Sequence, residues 1–132
     1  MQTASILSAD PPQDPAALRV ARGLGYASFA IAAAELAAPG WLCDVMGVDD
    51  HSGLLRGLGA REAVAGAAIL AASNPEPGVW SRVAGDAMDL ALLGAAARTT
   101  RNPGGLAVVA AMVAGITALD VWCAARLRRA AA

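Results

Sequence analysis

The chain has 132 residues, 57% of them hydrophobic and 16% charged, with a formal net charge of -1 and a mean hydropathy of +0.50. Thirty-five residues are Ala, 14 are Gly, and all ten basic residues are Arg. These values argue against a disordered chain and against a basic nucleic-acid module. A soluble globule this small also needs more polar covering than the chain supplies.

The first 17 residues read as a polar, Pro-rich tail, marked by Asp10, Pro11, Pro12, Asp14 and Pro15. Met1 to Pro15 holds no Arg or Lys and no apolar run, so it does not resemble a cleavable signal peptide. A first apolar segment covers about 18–38 and stops at Pro39-Gly40. In the next stretch Trp41, Leu42, Val45 and Met46 fall on one helical face. Trp41 to Met46 therefore reads either as a turn or two lying in a membrane interface or as an irregular loop. A second segment covers about 54–72 and is followed by the breaker Asn74-Pro75-Glu76-Pro77-Gly78. A third covers 79–97 and ends before Asn102-Pro103-Gly104-Gly105. A fourth covers 106–126, leaving 128–132 as a short tail. Each segment is near the ~20 residues that cross a ~30 Å hydrocarbon layer as a helix. Ala and Leu favour helix, and no segment alternates with period two as barrel strands do. The predicted fold is all-α: an integral membrane four-helix bundle over residues 18–127, with both termini on the same side. Small residues four apart, such as Ala30/Ala34/Ala38 and Ala87/Ala91/Ala95, suit close helix packing in lipid.

Four spans place Arg19, Arg22, Arg82, Arg126, Arg128 and Arg129 on the side of the termini, and Arg98 and Arg101 opposite. The positive-inside rule then puts both termini in the cytoplasm. Trp80 and Trp122 would sit at the cytoplasmic interface and Trp41 at the other. The two cysteines, Cys43 and Cys123, fall on opposite sides and cannot pair within one chain. Cys123 reads as a small apolar filler; a reactive thiol is only the minor reading for Cys43, since nothing near it argues for a lowered pKa.

Charges inside spans are costly and mark either packing or function. Here they are Glu35, Arg56, Arg61, Glu62, Arg82, Asp86, Asp89 and Asp120. Arg82, Asp86 and Asp89 are spaced i, i+4, i+7 and share one helix face. Gly59, Glu62 and Gly66 form a stripe on the preceding segment, with Arg61 beside it. At 1.5 Å per residue, Arg61 and Asp89 lie within about 5 Å in depth. This suggests a central layer of Arg61, Glu62 and Asp89, and an inner layer of Arg82, Asp86 and Asp120 with Arg22 as a further member. Glu35 lies nearer the outer surface, where Arg56 is the expected partner. Two readings stand: the charges neutralise one another and fix helix register, or they form a polar site for a head group, a proton or a small polar substrate. Near-equal numbers of Arg and acid favour ion pairing over a free proton carrier.

No nucleophile elbow, phosphate loop, zinc-protease motif or dinucleotide fingerprint is present. His51 after Asp49-Asp50 reads as a solvated loop residue, with a metal ligand as the alternative. No metal or cofactor is expected, and no catalytic residue.

Arg56-Gly57-Leu58-Gly59-Ala60-Arg61-Glu62-Ala63-Val64-Ala65-Gly66, followed by Trp80-Ser81-Arg82-Val83-Ala84-Gly85-Asp86-Ala87-Met88-Asp89-Leu90, resembles a pattern in small, uncharacterised bacterial four-helix membrane proteins, DoxX-like in layout. Some of these occur beside or fused to cyclase/dehydrase (START-like) domains. The resemblance spans about Leu18 to Leu127 and implies a multi-pass protein of the bacterial inner (plasma) membrane, with no established reaction. It implies the lipid bilayer and a separate START-like protein as partners. The leading functional expectation is a non-enzymatic accessory or scaffold that binds lipid or a small molecule, with Arg56, Arg61, Glu62, Arg82, Asp86, Asp89 and Asp120 as its polar network. The alternative is a small homo-oligomeric transporter or proton-coupled carrier using Asp86 and Asp89 with Arg61 and Glu62. A redox accessory using Cys43 and a soluble Ala-rich bundle are the remaining readings.

Overall fold

A computed structural model describes residues 13–132. Five helices and no strands form among the described residues: α1 (Pro15–Ala37), α2 (Pro39–Met46), α3 (Ser52–Ala71), α4 (Glu76–Ala96) and α5 (Pro103–Ala131). The four long helices overlie the four apolar segments, and each begins two or three residues earlier than hydropathy suggests. The reason is visible in the caps. Asp14 accepts hydrogen bonds from the Ala16 and Ala17 amides, and Pro15 supplies a first helical residue with its φ already set. Asn102-Pro103 repeats the device at α5, where the Asn102 side chain accepts from the Gly105 amide. Pro15 to Ala17 are therefore helical and not part of a tail, and most of the expected tail lies outside the described residues. The expected C-terminal tail is also corrected, because α5 continues through Arg128 and Arg129 to Ala131. Arginines in a last turn suit the negative end of the helix dipole.

The stretch after Pro39 is helix α2, which resolves the choice between helix and irregular loop. It turns 92° from α1. It ends at Gly47, whose φ of 63° is the left-handed cap that glycine adopts without penalty. This end of the molecule is knitted by loops. The Arg101 amide donates to the Gly47 carbonyl at 2.8 Å, the Thr100 hydroxyl donates to the Met46 carbonyl at 2.6 Å, and the Asn102 side-chain amide donates to the Val45 carbonyl at 2.9 Å.

α1 lies along α3 and α4 along α5, and the α1–α5 and α3–α4 seams close the ring. Close approach of α1 and α3 rests on missing side chains. A Cβ at Gly66 would run into the Gly25 carbonyl, and one at Gly59 would press on Glu35 and Leu36. Two apolar clusters occupy opposite ends of the bundle. Ala17, Ala21, Leu24, Ile69, Val79, Cys123, Ala124 and Leu127 form the first, where α1 starts and α5 ends. Cys43, Met46, Leu55 and Leu106 form the second, beneath α2. At the first end Arg126 donates to Asp14 at 2.7 Å and lies over the Trp122 ring, tying the last helix to the first. Asp14 is consequently held below the ordinary carboxylate range, chiefly by that hydrogen bond.

The side chains partition in an unusual way. The largest fully buried ones include Arg82 and Asp120 beside Ile69 and Val79, while Tyr26, Trp41, Val64, Val108 and Met112 are each at least 60% exposed. α5 is long and apolar enough to cross a membrane, with only 17% of its most apolar stretch buried. α1 with α2 meets the same criterion as a bent pair.

Candidate functional site

Between the two apolar clusters the charged residues form a single chain of ion pairs. Its order is Asp120–Arg82–Glu62–Arg61–Asp89. Arg82 on α4 donates from Nε to both Asp120 oxygens, at 3.2 and 3.1 Å, and from Nη1 to Glu62 Oε2 at 2.8 Å. Nη1 also donates to the Ser28 hydroxyl of α1. Arg61 on α3 donates to both oxygens of Asp89, at 3.0 and 2.8 Å, and to Glu62 Oε1 at 2.9 Å. Glu62 thus bridges the two guanidiniums with one oxygen each. Arg82, Glu62, Asp86 and Asp120 are all at most 4% exposed, so the network is dry except near Arg61.

The local sequence explains each placement. The i, i+4, i+7 spacing turns Arg82, Asp86 and Asp89 toward the bundle centre together. Glu62 sits between Gly59 and Gly66, so the stripe that brings α3 against α1 also points its carboxylate inward. Gly85 has a different role from the one its position suggests. It admits no neighbouring backbone; the Arg61 guanidinium occupies the space its Cβ would fill, with Nη1 donating to the Gly85 carbonyl at 3.3 Å. A charged group given hydrogen bonds on every side is what a buried ion needs, because desolvation alone costs several kcal/mol per ion.

Of the seven expected network residues, six come together here. The Arg61–Asp89 pair is present, but the two expected layers are joined through Glu62. Arg56 is exposed and belongs to none of the ion pairs, as is Arg22. Glu35 does not meet Arg56. Its Oε2 is buried and without a partner, and it feels the charges of Asp89, Glu62 and Arg61 instead. Asp86 Oδ2 is likewise buried and without a partner. The balance of charge differs from the expected near-equality once Arg56 is removed: two guanidiniums face Glu62, Asp86, Asp89 and Asp120, with Glu35 adjacent. Ser28 is the member that sequence reading missed. Its signal is the buried α1 stripe Ala17, Ala21, Gly25, Ser28, Ala32, in which it is the one hydroxyl.

A groove of about 400 Å³ opens along the α3–α4 seam. Its walls are Ala60, Val64, Ala65 and Ala68, and it reaches Arg61, Glu62 and Arg82, with Ser81 at its edge. Small alanines on α3 leave this space, which gives the network its access to the outer surface.

At the opposite loop His51 is exposed, Asp49 pairs with Arg101 at 2.7 Å, and Asp50 caps Ser52, so no metal grouping forms around His51 among the described residues. Asp49 and Asp50 are held below the usual carboxylate range by those hydrogen bonds. Cys43 is buried on the inner side of α2, and the Cys123 thiol donates to the Ala17 carbonyl at 3.3 Å.

Comparison with protein-family models, curated proteins and solved structures finds no match for this chain.

Proposed function

We propose that this chain is an integral membrane protein that binds an amphiphilic molecule without transforming it, as an accessory to another membrane-associated activity. The observation that carries this reading is the partition of side chains. Arg82, Glu62, Asp86 and Asp120 face inward, with Arg61 and Asp89 beside them, and Trp, Tyr, Val and Met side chains face outward. In water that arrangement exposes large apolar surface and desolvates ions; in lipid it satisfies both. On this reading all four long helices cross the bilayer, α3 and α4 with their central charges turned from the lipid and Arg56 left exposed near one end of α3. Trp41 at one end and Trp80 and Trp122 at the other fit the two interfaces. α2, turned from α1 and carrying the exposed Trp41, lies in one of them. The arginine distribution places the termini in the cytoplasm.

The α3–α4 groove is the binding place. Its alanine and valine walls suit an acyl or isoprenoid chain, and the Arg61 guanidinium and Ser81 hydroxyl at its polar end suit a head group. The DoxX-like resemblance adds a soluble START-like protein as the recipient. Native mass spectrometry of the protein released from membranes in mild detergent tests this. A retained mass of lipid size is expected, and Ala65→Trp, which fills the groove, is expected to remove it. A bare chain, or the same adduct on Ala65→Trp, contradicts the proposal.

A carrier is the second reading, favoured by the two unpartnered buried carboxylate oxygens on Asp86 and Glu35. Proton flux into liposomes that Asp89→Asn abolishes would support it. Background flux in both forms removes it.

A further inference from the structure

The ion-pair chain begins and ends on an acid, so its three carboxylates exceed its two guanidiniums by one. Asp86 adds a second unbalanced charge. It is 4% exposed, its Oδ2 has no partner, and it lies on the same α4 face as Arg82 and Asp89. Glu62, Asp86 and Asp89 each offer a carboxylate oxygen, and these three oxygens lie within 4.8 Å of one another. Two uncompensated negative charges in a dry interior are costly, and the structure gives them one common point to neutralise.

The arginines do not close that point. A carboxylate has about four lone-pair sites. Glu62 spends one on each oxygen, to Arg61 and to Arg82, and Asp89 spends one on each oxygen to Arg61. Lone pairs remain on both, and the guanidiniums hold the two carboxylates in fixed orientation, as outer-shell groups do at metal sites. Asp86 supplies the third ligand, from an oxygen within reach of the other two.

We infer that Glu62, Asp86 and Asp89 form a binding site for a hard divalent cation, calcium above magnesium, oriented by Arg61 and Arg82. The ligand chemistry selects the ion. An all-carboxylate oxygen set suits a hard cation, and Ca²⁺ accepts irregular oxygen geometry. Mg²⁺ demands near-ideal octahedral geometry and gives up its waters reluctantly, which a largely buried, arginine-held cluster suits less well. Charge selects it as well, since one divalent ion cancels the excess of four carboxylates over two guanidiniums. The site shares Glu62 with the inner end of the α3–α4 groove, but it does not depend on an occupant there.

The test is calorimetric titration and thermal unfolding of the chelator-treated full chain in detergent, with CaCl₂, MgCl₂ and NaCl. One Ca²⁺ per chain is expected to bind and raise the melting temperature saturably, with a smaller response to Mg²⁺ and none to Na⁺ beyond ionic strength. Asp86→Asn is expected to keep the fold, melt no lower than the metal-free wild type because an unpaired charge is gone, and lose the Ca²⁺ response. Asp86→Glu keeps the charge but misplaces the oxygen, and its Ca²⁺ affinity is expected to fall by about tenfold or more. Absence of a saturable Ca²⁺ effect on the wild type overturns the inference, whatever the variants do. An Asp86→Asn protein that answers Ca²⁺ as the wild type does also overturns it. So does a wild type stabilised by acid and indifferent to Ca²⁺, for protons would then occupy the acids.

Discussion

At the scale of the residue, Arg82 shows what the interior asks of a charge. It is 1% exposed, and Asp120, Glu62 and Ser28 receive its donors. Replacing it by Ala strands Asp120 and leaves Glu62 with Arg61 alone, and breaking such a buried pair costs about 3–5 kcal/mol. Arg128 is exposed at the end of α5 and takes part in no ion pair among the described residues, so Arg128→Ala is expected to stay within about 0.5 kcal/mol. Thermal unfolding of both variants in mild detergent checks this, and equal melting temperatures would mean that the centre is hydrated. Asp14 makes a prediction of the opposite kind. Its folded pKa lies below the ordinary 3.8, so its pairing with Arg126 stabilises the fold above that value and is lost as pH falls through the folded one. Stability measured from pH 6 to pH 2 is expected to lose part of its acid dependence in Asp14→Asn. An unchanged profile would show that the Arg126 clasp does not hold in solution.

At the scale of the element, the helices differ in which glycines they use. A Cβ at Gly66 meets the Gly25 backbone carbonyl, whereas one at Gly57 meets nothing. Gly66→Ala is therefore expected to destabilise by about 1–3 kcal/mol through forced separation of α1 and α3. Gly57→Ala is expected to stabilise by roughly 0.5–1 kcal/mol through helix propensity. Opposite signs in the same unfolding assay are the check. The number and order of long helices were legible because Pro39-Gly40, Asn74 to Gly78 and Asn102 to Gly105 interrupt runs of Ala and Leu. The Arg61–Asp89 pair was legible from rise per residue, because depth along a helix is a function of sequence position. The partners of Glu62 and Glu35 were not. Rise gives depth, while the choice between Arg56 and the central acids depends on how each helix is rotated about its axis, which α1–α3 glycine contacts decide. Helix starts were misjudged for a simpler reason: Asp14-Pro15 and Asn102-Pro103 are polar, so hydropathy discards the residues that cap.

At the scale of the whole molecule, the architecture is layered along the helix axes: an apolar cluster, a charged centre and a second apolar cluster. The centre alone does not distinguish a membrane protein from a soluble bundle, since buried ion pairs occur in both. The outer surface is what supports the proposed membrane reading. Val64, Val108, Met112, Tyr26 and Trp41 are exposed on different helices, so the apolar covering surrounds the molecule instead of marking one interface. α5, or α1 with α2 as a bent pair, is long and apolar enough to cross a membrane; α3 and α4 fall short because inward-facing charges count in hydropathy as outward-facing ones would. The central claim is that this surface is made for lipid. Fractionation of cells expressing the full chain, followed by alkaline carbonate washing and then extraction with and without detergent, tests it most directly. The account predicts that the protein stays in the washed membrane and leaves it only with detergent; release by carbonate, as a monodisperse protein in plain buffer, would contradict it.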